Sequence, residues 1–294
     1  MIDLHLHTNN SDGTDSVEEL LIKAEKEKLK VISITDHDSI DAYKELENKN
    51  IRNKFTGKII IGAELKTFYK EVPIEILAYG IDYKTLKIHK IKMYELQKKI
   101  LEDYKTIGKK LGMKFDENIF VSETDTMRKF ASFTFANEIL KYEENKKILF
   151  SIGPECDAAT FYRVHASNKE SIFYYDETQF SISLEETINR IHEAKGLAFL
   201  AHPYLYPYKD KEKIIEEILS EFKIDGLECE YPLFSEEERK KLKELAKKYN
   251  KYISGGTDYH ADNKPNISLG KGIDGNINIQ EEMIEDWIEK VKII

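Results

Sequence analysis

Short apolar runs and amphipathic stretches alternate along most of the chain. Residues 2–7 alternate apolar and polar side chains with a period of two, which is typical of a β-strand. From Ser16 to Leu29, apolar side chains recur at helical spacing, and Ser16 with Glu19 gives a capping-box pattern at the start of that stretch. A strand followed by a helix is therefore predicted at the beginning of the chain.

The same alternation of strands and helices continues on both sides of the middle of the chain. Six further strands are predicted over Val31–Ile34, Lys58–Ile61, Pro73–Tyr79, Leu197–Leu200, Ile224–Cys229 and Tyr252–Gly255. Four further helices are predicted over Leu184–Lys195, Lys209–Phe222, Ser235–Tyr249 and Gln280–Lys292. This alternation predicts an α/β fold with a parallel sheet.

The alternation stops between residues 85 and 180. The pattern is mostly helical as far as Glu144, with Leu86–Leu111 as its longest stretch, and it is irregular and rich in Tyr and Phe beyond that point. We interpret residues 85–180 as an inserted, mainly helical subdomain that resembles a cap. Residues 1–84 and 181–294 would then form the main domain.

Polar residues gather at the C-terminal ends of the predicted strands. Six strands carry a side chain that could bind a metal in their C-terminal half or just after it, and the other strand carries Glu228. The C-terminal ends of the strands build the active face of a β/α barrel, whereas an open doubly wound sheet builds its site at one switch point. Ligands from so many strands therefore favour a closed or nearly closed barrel over the open sheet.

Composition and charge limit the possible functions. The chain has 294 residues and a formal net charge of −9, so a broad basic surface for nucleic acid is not expected. The apolar runs are too short to span a bilayer, and the first residues show no secretory signal pattern. The two cysteines, Cys156 and Cys229, lack the spacing of a zinc knuckle, and a reducing cytoplasm is the expected location.

Imidazole and carboxylate side chains make up the candidate site. His5 and His7 lie two residues apart on a strand, so they point to the same face. The other candidate ligands within or after the predicted strands are Asp12, His37, Glu64, Glu75, His202, Asp258 and His260. Imidazole and carboxylate without thiolate suit Zn, Mn or Fe. Because one tetrahedral ion needs only four ligands, two or three divalent ions are predicted.

The remaining histidines are interpreted differently. His89 and His192 lie on predicted helices, where a surface or packing role is expected. His165 stays open between a packing role and contact with the site.

Five short segments carry most of the candidate ligands. They are Asp3-Leu4-His5-Leu6-His7-Thr8, Thr35-Asp36-His37-Asp38, Gly62-Ala63-Glu64, Ala201-His202-Pro203 and Ser254-Gly255-Gly256-Thr257-Asp258-Tyr259-His260. In this order, and spanning nearly the whole chain, they resemble the polymerase and histidinol phosphatase (PHP) family of metallophosphoesterases. The resemblance implies a distorted seven-stranded (β/α)7 barrel with a two- or three-metal site, here with a mainly helical insertion.

The resemblance also implies how the ligands are divided among the ions. One ion would be held by His5, His7, Glu64 and Asp258. Another would be held by Asp12, His37 and His260. Glu64 would bridge to a third ion near His202.

Ser11-Asp12-Gly13 and Thr35-Asp36-His37-Asp38 resemble one branch of the family, which contains nucleoside 3′,5′-bisphosphate phosphatases and 5′-to-3′ exonucleases. Two positions depart from that branch. Glu75 stands where a metal-binding His is usual, and it would favour harder ions such as Mn or leave the third position weak. Arg128-Lys129-Phe130 stands where Arg-x-His is common; Arg128 would clamp a phosphate, with a surface arginine as the alternative.

The predicted function is metal-dependent hydrolysis of a small phosphate monoester, a nucleotide or nucleoside bisphosphate, with a short oligonucleotide end as a further possible substrate. Metal-activated hydroxide would attack phosphorus in line. Asp258 and Arg128 would be catalytic, and Lys129 or Arg163 would help neutralise the substrate. Two alternatives stay open, a histidinol-phosphate-type metabolite phosphatase and a non-catalytic metal-binding regulatory module.

Overall fold

A computed structural model describes residues 1–88, 93–122, 130–176 and 182–294. Backbone contacts divide the chain into two compact units. The barrel unit comprises Met1–His89 and Ser181–Ile294, and the insertion unit comprises Lys90–Phe180. Buried apolar side chains form separate clusters in the two units, so each has a hydrophobic core of its own.

Seven strands of the described chain form one sheet in the barrel unit, hydrogen-bonded in chain order. They are β1 Ile2–Leu6, β2 Val31–Ile34, β3 Lys58–Tyr69, β4 Val72–Tyr79, β5 Leu197–Leu200, β6 Gly226–Glu230 and β7 Tyr252–Gly255. The first and last strands meet at a parallel bridge between Leu6 and Tyr259, and the His7 amide donates to the Tyr259 carbonyl. The sheet is nearly closed, which confirms the predicted seven-stranded barrel.

Strand β4 runs antiparallel to both of its neighbours, so the prediction of a parallel sheet is wrong at this strand. The sequence pattern predicts that β3 ends at Ile61, but β3 continues to Tyr69 and folds back into β4 through Lys70 and Glu71. These two residues have φ of 45° and 62°, as a two-residue type I′ hairpin turn requires. The reversal brings Glu75 beside the C-terminal end of β5, where its carbonyl accepts from the Ala201 amide.

The α-helices, in chain order, are α1 Val17–Lys26, α2 Asp41–Glu45, α3 Lys49–Arg52, α4 Met93–Lys110, α5 Ala131–Ile139, α6 Glu143–Ile152, α7 Leu184–Glu193, α8 Lys211–Glu221, α9 Glu236–Lys248 and α10 Glu285–Ile288. Ser16 and Ser235 begin α1 and α9 with capping boxes, which confirms the one predicted at Ser16. The long helices α1, α7, α8 and α9 bury apolar side chains, which contribute to the core of the barrel unit.

The prediction of a helix over Gln280–Lys292 is wrong for most of its length. The chain forms a 3₁₀ turn at Glu281–Ile284 and the short α10, and its last residues then extend along β3. Ile294 exchanges two backbone hydrogen bonds with Ile59, each 2.9 Å long. Pairing with a strand therefore satisfies backbone groups that a longer helix would have paired within itself.

The regular secondary structure described in the insertion unit is helical. It contains α4, α5 and α6 and a π-helical turn at Tyr162–Ala166. The helix predicted from Leu86 begins at Met93 in the described chain, because residues 87 and 88 are not helical and residues 89–92 lie outside the description. Aromatic rings pack at the centre of this unit, among them Tyr104, Phe135, Phe161 and Phe173. Among the described helices, none is both long and apolar enough to cross a membrane.

Candidate metal centre

The nine predicted metal ligands lie together at one end of the barrel unit. β1 supplies His5, and the residues just after β1, β2, β5 and β7 supply His7, Asp12, His37, His202, Asp258 and His260. Glu64 and Glu75 come instead from within β3 and β4. Glu75 still reaches this end of the barrel, because β4 runs in the opposite direction to the other strands.

The ligand atoms form four overlapping groups, within each of which they all lie within 4.8 Å of one another. The group that we call the His7 group comprises His7, Asp12, His37 and His260. The group that we call the His5 group comprises His5, Glu64 and His202. The other two groups are His5, His7 and Asp258, and His37, Glu64 and Glu75. Each group has the mixed nitrogen and oxygen donors that suit a divalent transition metal.

Glu64 is the shared carboxylate of this centre, and its side chain is fully buried. Its Oε2 lies 3.2 Å from His5 Nε2, 3.3 Å from His7 Nε2 and 3.2 Å from His37 Nδ1. Its Oε1 lies 2.9 Å from His202 Nε2. One carboxylate therefore contacts four imidazoles, and its two oxygens face different sides of the cluster.

Two buried polar atoms show that the cluster fits a bound cation better than it fits direct hydrogen bonding. His7 Nε2 has carboxylate oxygens of Glu64 and Asp258 at 3.3 Å, yet it makes no hydrogen bond of acceptable geometry. Asp12 Oδ1 has His260 Nε2 at 3.0 Å and is likewise without a hydrogen bond. Buried polar atoms are rarely left without partners, and these atoms point toward neighbouring ligand atoms, as metal donors do.

The electrostatics of the cluster reflect its dense packing of opposite charges. Burial would raise the pKa of Glu64, but the imidazoles of His5 and His37 outweigh burial and hold it well below its usual range. Burial would lower the pKa of His7, but the carboxylates of Asp258, Glu64 and Asp12 raise it to about 9. Without an ion, a proton on the His7 imidazole therefore helps to balance the carboxylates, and a metal ion must displace it.

The turn that carries Asp12 requires a glycine and a neighbouring loop. A Cβ atom on Gly13 would lie 2.6 Å from the His7 carbonyl oxygen, so a larger residue would not fit there. The Gly13 amide donates to the Thr8 carbonyl, and the Asn263 side chain donates to the Asp12 carbonyl. The Ser11-Asp12-Gly13 turn is thus held against the segment that follows His260.

Asp36 is a buried carboxylate that supports this same turn. It accepts hydrogen bonds from the Thr8 amide at 2.7 Å, from the Thr8 hydroxyl at 2.7 Å and from the Ser11 hydroxyl at 2.6 Å. Asp36 is part of a motif recognised in the sequence, but no role was predicted for it. Its position one residue before His37 is a signal that could have indicated a supporting carboxylate.

Asp3 supports the loop that follows β7. It accepts from the Thr257 amide at 2.9 Å, from the Thr257 hydroxyl at 2.6 Å and from the Gly270 amide at 2.8 Å. Burial raises the pKa of Asp3 to about 6 against the opposing effect of these donors. Sequence analysis missed this role, although Asp3 shares the two-residue periodicity of His5 and His7 on β1.

Asp258 has two oxygens with different surroundings. Its Oδ1 lies 3.5 Å from His5 Nε2 and 3.3 Å from His7 Nε2. Its Oδ2 accepts hydrogen bonds from the Tyr231 hydroxyl at 2.6 Å and from the Lys264 ammonium group. Burial would raise the pKa of Asp258, but Lys264 and the nearby imidazoles hold it well below its usual range. The Oδ1 atom is thus left facing the imidazoles, and sequence analysis missed both Tyr231 and Lys264.

The other predicted residues are placed as follows. Arg128, Lys129 and His89 lie outside the described residues. Arg163 is in the π-helical turn of the insertion unit. His165 is buried in that unit's core, 3.3 Å from the Ser171 hydroxyl and against the rings of Phe161 and Phe173. His192 pairs with Asp225 at 2.8 Å on the barrel unit's α7, as expected for a packing role.

Comparison with known proteins gives relatives over nearly the full length. A curated 5′-3′ exoribonuclease of Haemophilus influenzae is 25% identical over 289 residues, which cover 97% of each chain. A 3′,5′-nucleoside bisphosphate phosphatase of Chromobacterium violaceum is 22% identical over 92% of this chain and 90% of its own length. A Bifidobacterium adolescentis structure, provisionally described as a metal-dependent phosphoesterase, has the same fold, with a TM-score of 0.68 and 20% identity over 99% of this chain and 96% of that one.

The matched family spans both halves of the barrel unit and the ligands from His5 to Asp258. Its description is PHP domain, and the match covers residues 3–258. Because this is most of the 294 residues, the chain belongs to the PHP domain family.

Proposed function

We propose that this protein is a metal-dependent phosphoesterase that hydrolyses a small phosphate monoester, with a nucleotide or nucleoside bisphosphate as the substrate class. The observation that carries the proposal is the buried carboxylate of Glu64, which contacts four imidazoles and belongs to two of the four ligand groups. A carboxylate shared between ion positions is useful where two ions act on one substrate. A purely structural ion needs only four ligands, so it would not require this shared carboxylate.

The residues present fit two or three divalent ions, with Mn, Zn or Fe as the candidates. The resemblance assigns His7 to the ion of His5, Glu64 and Asp258, whereas we propose that the His7 group would hold one ion and the His5 group another. The group of His37, Glu64 and Glu75 would hold a third. When bound, such ions supply the Lewis acidity that makes hydroxide available near neutral pH and neutralises charge on the phosphoryl group.

The protein's own contribution is orientation and charge. Asp258 keeps Oδ1 directed at His5 and His7 because its other oxygen is held by Tyr231 and Lys264. We propose Asp258 as a catalytic residue on this basis, since a fixed carboxylate beside His5 and His7 keeps the reacting groups correctly oriented. Arg128 remains the proposed clamp for the substrate phosphate, because its guanidinium group matches phosphate geometry.

The substrate class is supported by the relatives and by the charge of the chain. The curated relatives are named for a 5′-3′ exoribonuclease and a 3′,5′-nucleoside bisphosphate phosphatase activity, and both names imply a phosphate ester of a nucleotide. The net charge of −9 disfavours a long polyanion held along a surface, because such binding uses many basic contacts. A small nucleotide or a short oligonucleotide end is therefore the proposed partner.

The test measures release of inorganic phosphate, and of mononucleotides from the RNA, by metal-stripped protein with and without added Mn, Zn or Fe. The substrates are a nucleoside 3′,5′-bisphosphate, mononucleotides, a short 5′-phosphorylated RNA, histidinol phosphate and an aryl phosphate. We expect metal-dependent turnover that is highest on one of the nucleotide substrates. Asp258→Ala serves as the inactive control, and His192→Ala, which alters a histidine outside the centre, serves as the active one.

Each other outcome points to a specific alternative. Turnover confined to histidinol phosphate would replace the nucleotide class with a metabolite phosphatase. If the RNA is the only substrate cleaved, and it releases mononucleotides, an exonuclease function is favoured over hydrolysis of a small ester. Bound metal without turnover on any ester would contradict the enzymatic proposal and favour a metal-binding regulatory module.

We also propose that the protein works in the cytoplasm. Both cysteines are free, and Cys229 is fully buried in the barrel unit's core. Free thiols are usual where glutathione and thioredoxin keep cysteines reduced. Fractionation of source cells tests the location, and recovery in a secreted fraction would contradict it.

A further inference from the structure

Besides Asp36 and Asp3, a further supporting carboxylate, Glu228 on β6, contacts two different metal-ligand residues at once. Its side chain is fully buried. Its Oε1 lies 2.8 Å from His5 Nδ1, and its Oε2 accepts a hydrogen bond from the His202 backbone amide at 2.7 Å. Both residues belong to the His5 group, so one side chain connects two of that group's three ligands.

The contact with His5 determines which ring nitrogen can bind an ion. A carboxylate only accepts hydrogen bonds, so the Nδ1 atom of His5 must carry the ring proton and donate it to Glu228. In a neutral imidazole the other nitrogen, Nε2, is then unprotonated. That nitrogen faces the shared carboxylate of Glu64 at 3.2 Å, and a bound ion would take the place of the second ring proton that this contact otherwise needs.

The contact with His202 holds the backbone in an uncommon conformation. His202 has φ of 22° and ψ of 57°, a region that residues other than glycine rarely adopt. The hydrogen bond from its amide to Glu228 offsets part of that strain. In this conformation the His202 ring reaches Glu64, with Nε2 at 2.9 Å from Oε1.

We propose that Glu228 is a positioning residue that prepares the His5 group for its ion, while Asp36 does the same for the His7 group. Asp36 accepts three hydrogen bonds from Thr8 and Ser11 in the turn that carries Asp12, and it makes no contact with His5 or His202 among the hydrogen bonds described. Each of these two ion positions therefore has its own supporting carboxylate. The inference rests on the proposed metal centre and adds that its positions can be disabled separately.

Glu228→Gln changes hydrogen bonding with little change in shape, because glutamine has one acceptor oxygen and one NH₂ donor. If the NH₂ group faces His5, Nδ1 must accept, so the ring proton moves to Nε2 and blocks the metal-binding nitrogen. If the NH₂ group faces His202 instead, two donors oppose each other and the backbone turn is strained. Either orientation impairs a ligand of the His5 group.

The experiment compares Glu228→Gln with Asp36→Asn and with the unaltered protein, using Zn as the probe. The number of Zn ions bound and their affinity are measured on metal-stripped protein by competition with a chromophoric chelator. ¹⁵N NMR of the histidine rings reports which nitrogens carry protons and which bind Zn. We expect Glu228→Gln to lower the affinity for the Zn ion at His5 and His202 by about ten- to a hundredfold, while His37 and His260 still bind Zn. Asp36→Asn should give the opposite pattern.

The outcomes separate this inference from the proposed function. If the unaltered protein binds no Zn and turns over no ester, the proposed metal centre fails. If it binds Zn but Glu228→Gln binds both ions with unchanged affinity, or both variants lose the same ion, the positioning role is wrong. If the variants do not fold, the unaltered Zn protein still decides, because Zn on His5 Nδ1 or a proton on His5 Nε2 would overturn the inference.

Discussion

The barrel unit and the insertion unit use buried polar residues in different ways. In the barrel unit, buried imidazoles and carboxylates gather at one end and face one another, with Glu64 at the centre. In the insertion unit, the buried Asn145 serves the backbone instead: it accepts from the Lys114 amide and donates to the carbonyls of Lys114 and Ile139. Burial of a polar group therefore indicates chemistry where several imidazoles and carboxylates face one another, and a structural role where a single side chain pairs with backbone groups.

The largest effect should come from removing a ligand of the barrel unit's cluster. We expect His7→Ala or Asp258→Ala to lower turnover by about a thousandfold or more, because an ion acting as a Lewis acid provides several kcal/mol of transition-state stabilisation. Steady-state assays, metal analysis and circular dichroism should show lost activity and metal with the fold retained. His192→Ala is the matched control, and full turnover of either ligand variant at saturating metal would contradict the assignment.

The insertion unit should respond to Asn145→Ala in stability, with metal content unchanged. The change removes the partner of the buried Ile139 carbonyl and of the half-buried amide and carbonyl of Lys114, so we expect a loss of about 1–3 kcal/mol in the free energy of unfolding. Denaturant melts monitored by circular dichroism measure the loss, and metal analysis checks the cluster. Loss of bound metal in the folded variant would show that the metal site of the barrel unit depends on the insertion unit.

Metal binding should depend on pH because imidazole protons must leave. The pKa of His7 is raised to about 9, so below that pH the ion displaces a proton and its affinity falls as the pH is lowered. We expect up to about tenfold weaker binding per pH unit for each proton displaced. Calorimetry in buffers of different ionisation enthalpy counts the protons released. Affinity that is constant between pH 6 and 8 would contradict the proton competition.

The smallest effect should come from Glu75→His, which changes the donor type at the third position. Glu75 lies 3.5 Å from His37 Nδ1 and 3.4 Å from His202 Nε2, so it borders two ligand groups. We expect the preference to move from Mn toward Zn or Fe by a few-fold, since imidazole is a softer donor than carboxylate. Metal competition followed by activity assays measures it. An unchanged metal content and unchanged activity with all three metals would indicate that Glu75 is not a ligand.

Much of the barrel could be predicted because its signals are local. The strand carrying His5 alternates with period two, and Ser16 and Ser235 begin helices through contacts with residues three positions away. The reversal at Lys70-Glu71 could not be predicted in the same way, because neither residue is a glycine or asparagine of the kind that marks such turns. The shortened last helix was hidden for a different reason, since pairing of Ile294 with Ile59 depends on the assembled sheet.

The candidate site was predictable in its ligands but not in its supports. Ligands such as His37 and His260 follow strands and can be recognised by position in the sequence. Glu228 and Tyr231 act on residues far away in the chain, and Glu228 contacts His5 across a separation of 223 residues. A single sequence contains no record of such a pairing, because only folding brings β6 beside β5 and the shared cluster.

The antiparallel hairpin of β3 and β4 has a consequence for how the chain can vary. Glu64 and Glu75 sit on its two arms, with Lys66 paired opposite Glu75 and Leu77 opposite Glu64. The two strands pair residue by residue, so adding or removing the same number of residues in both strands next to the turn would leave these pairs unchanged. The length of the hairpin can therefore change at the turn of Lys70 and Glu71 while Glu64 and Glu75 keep their positions.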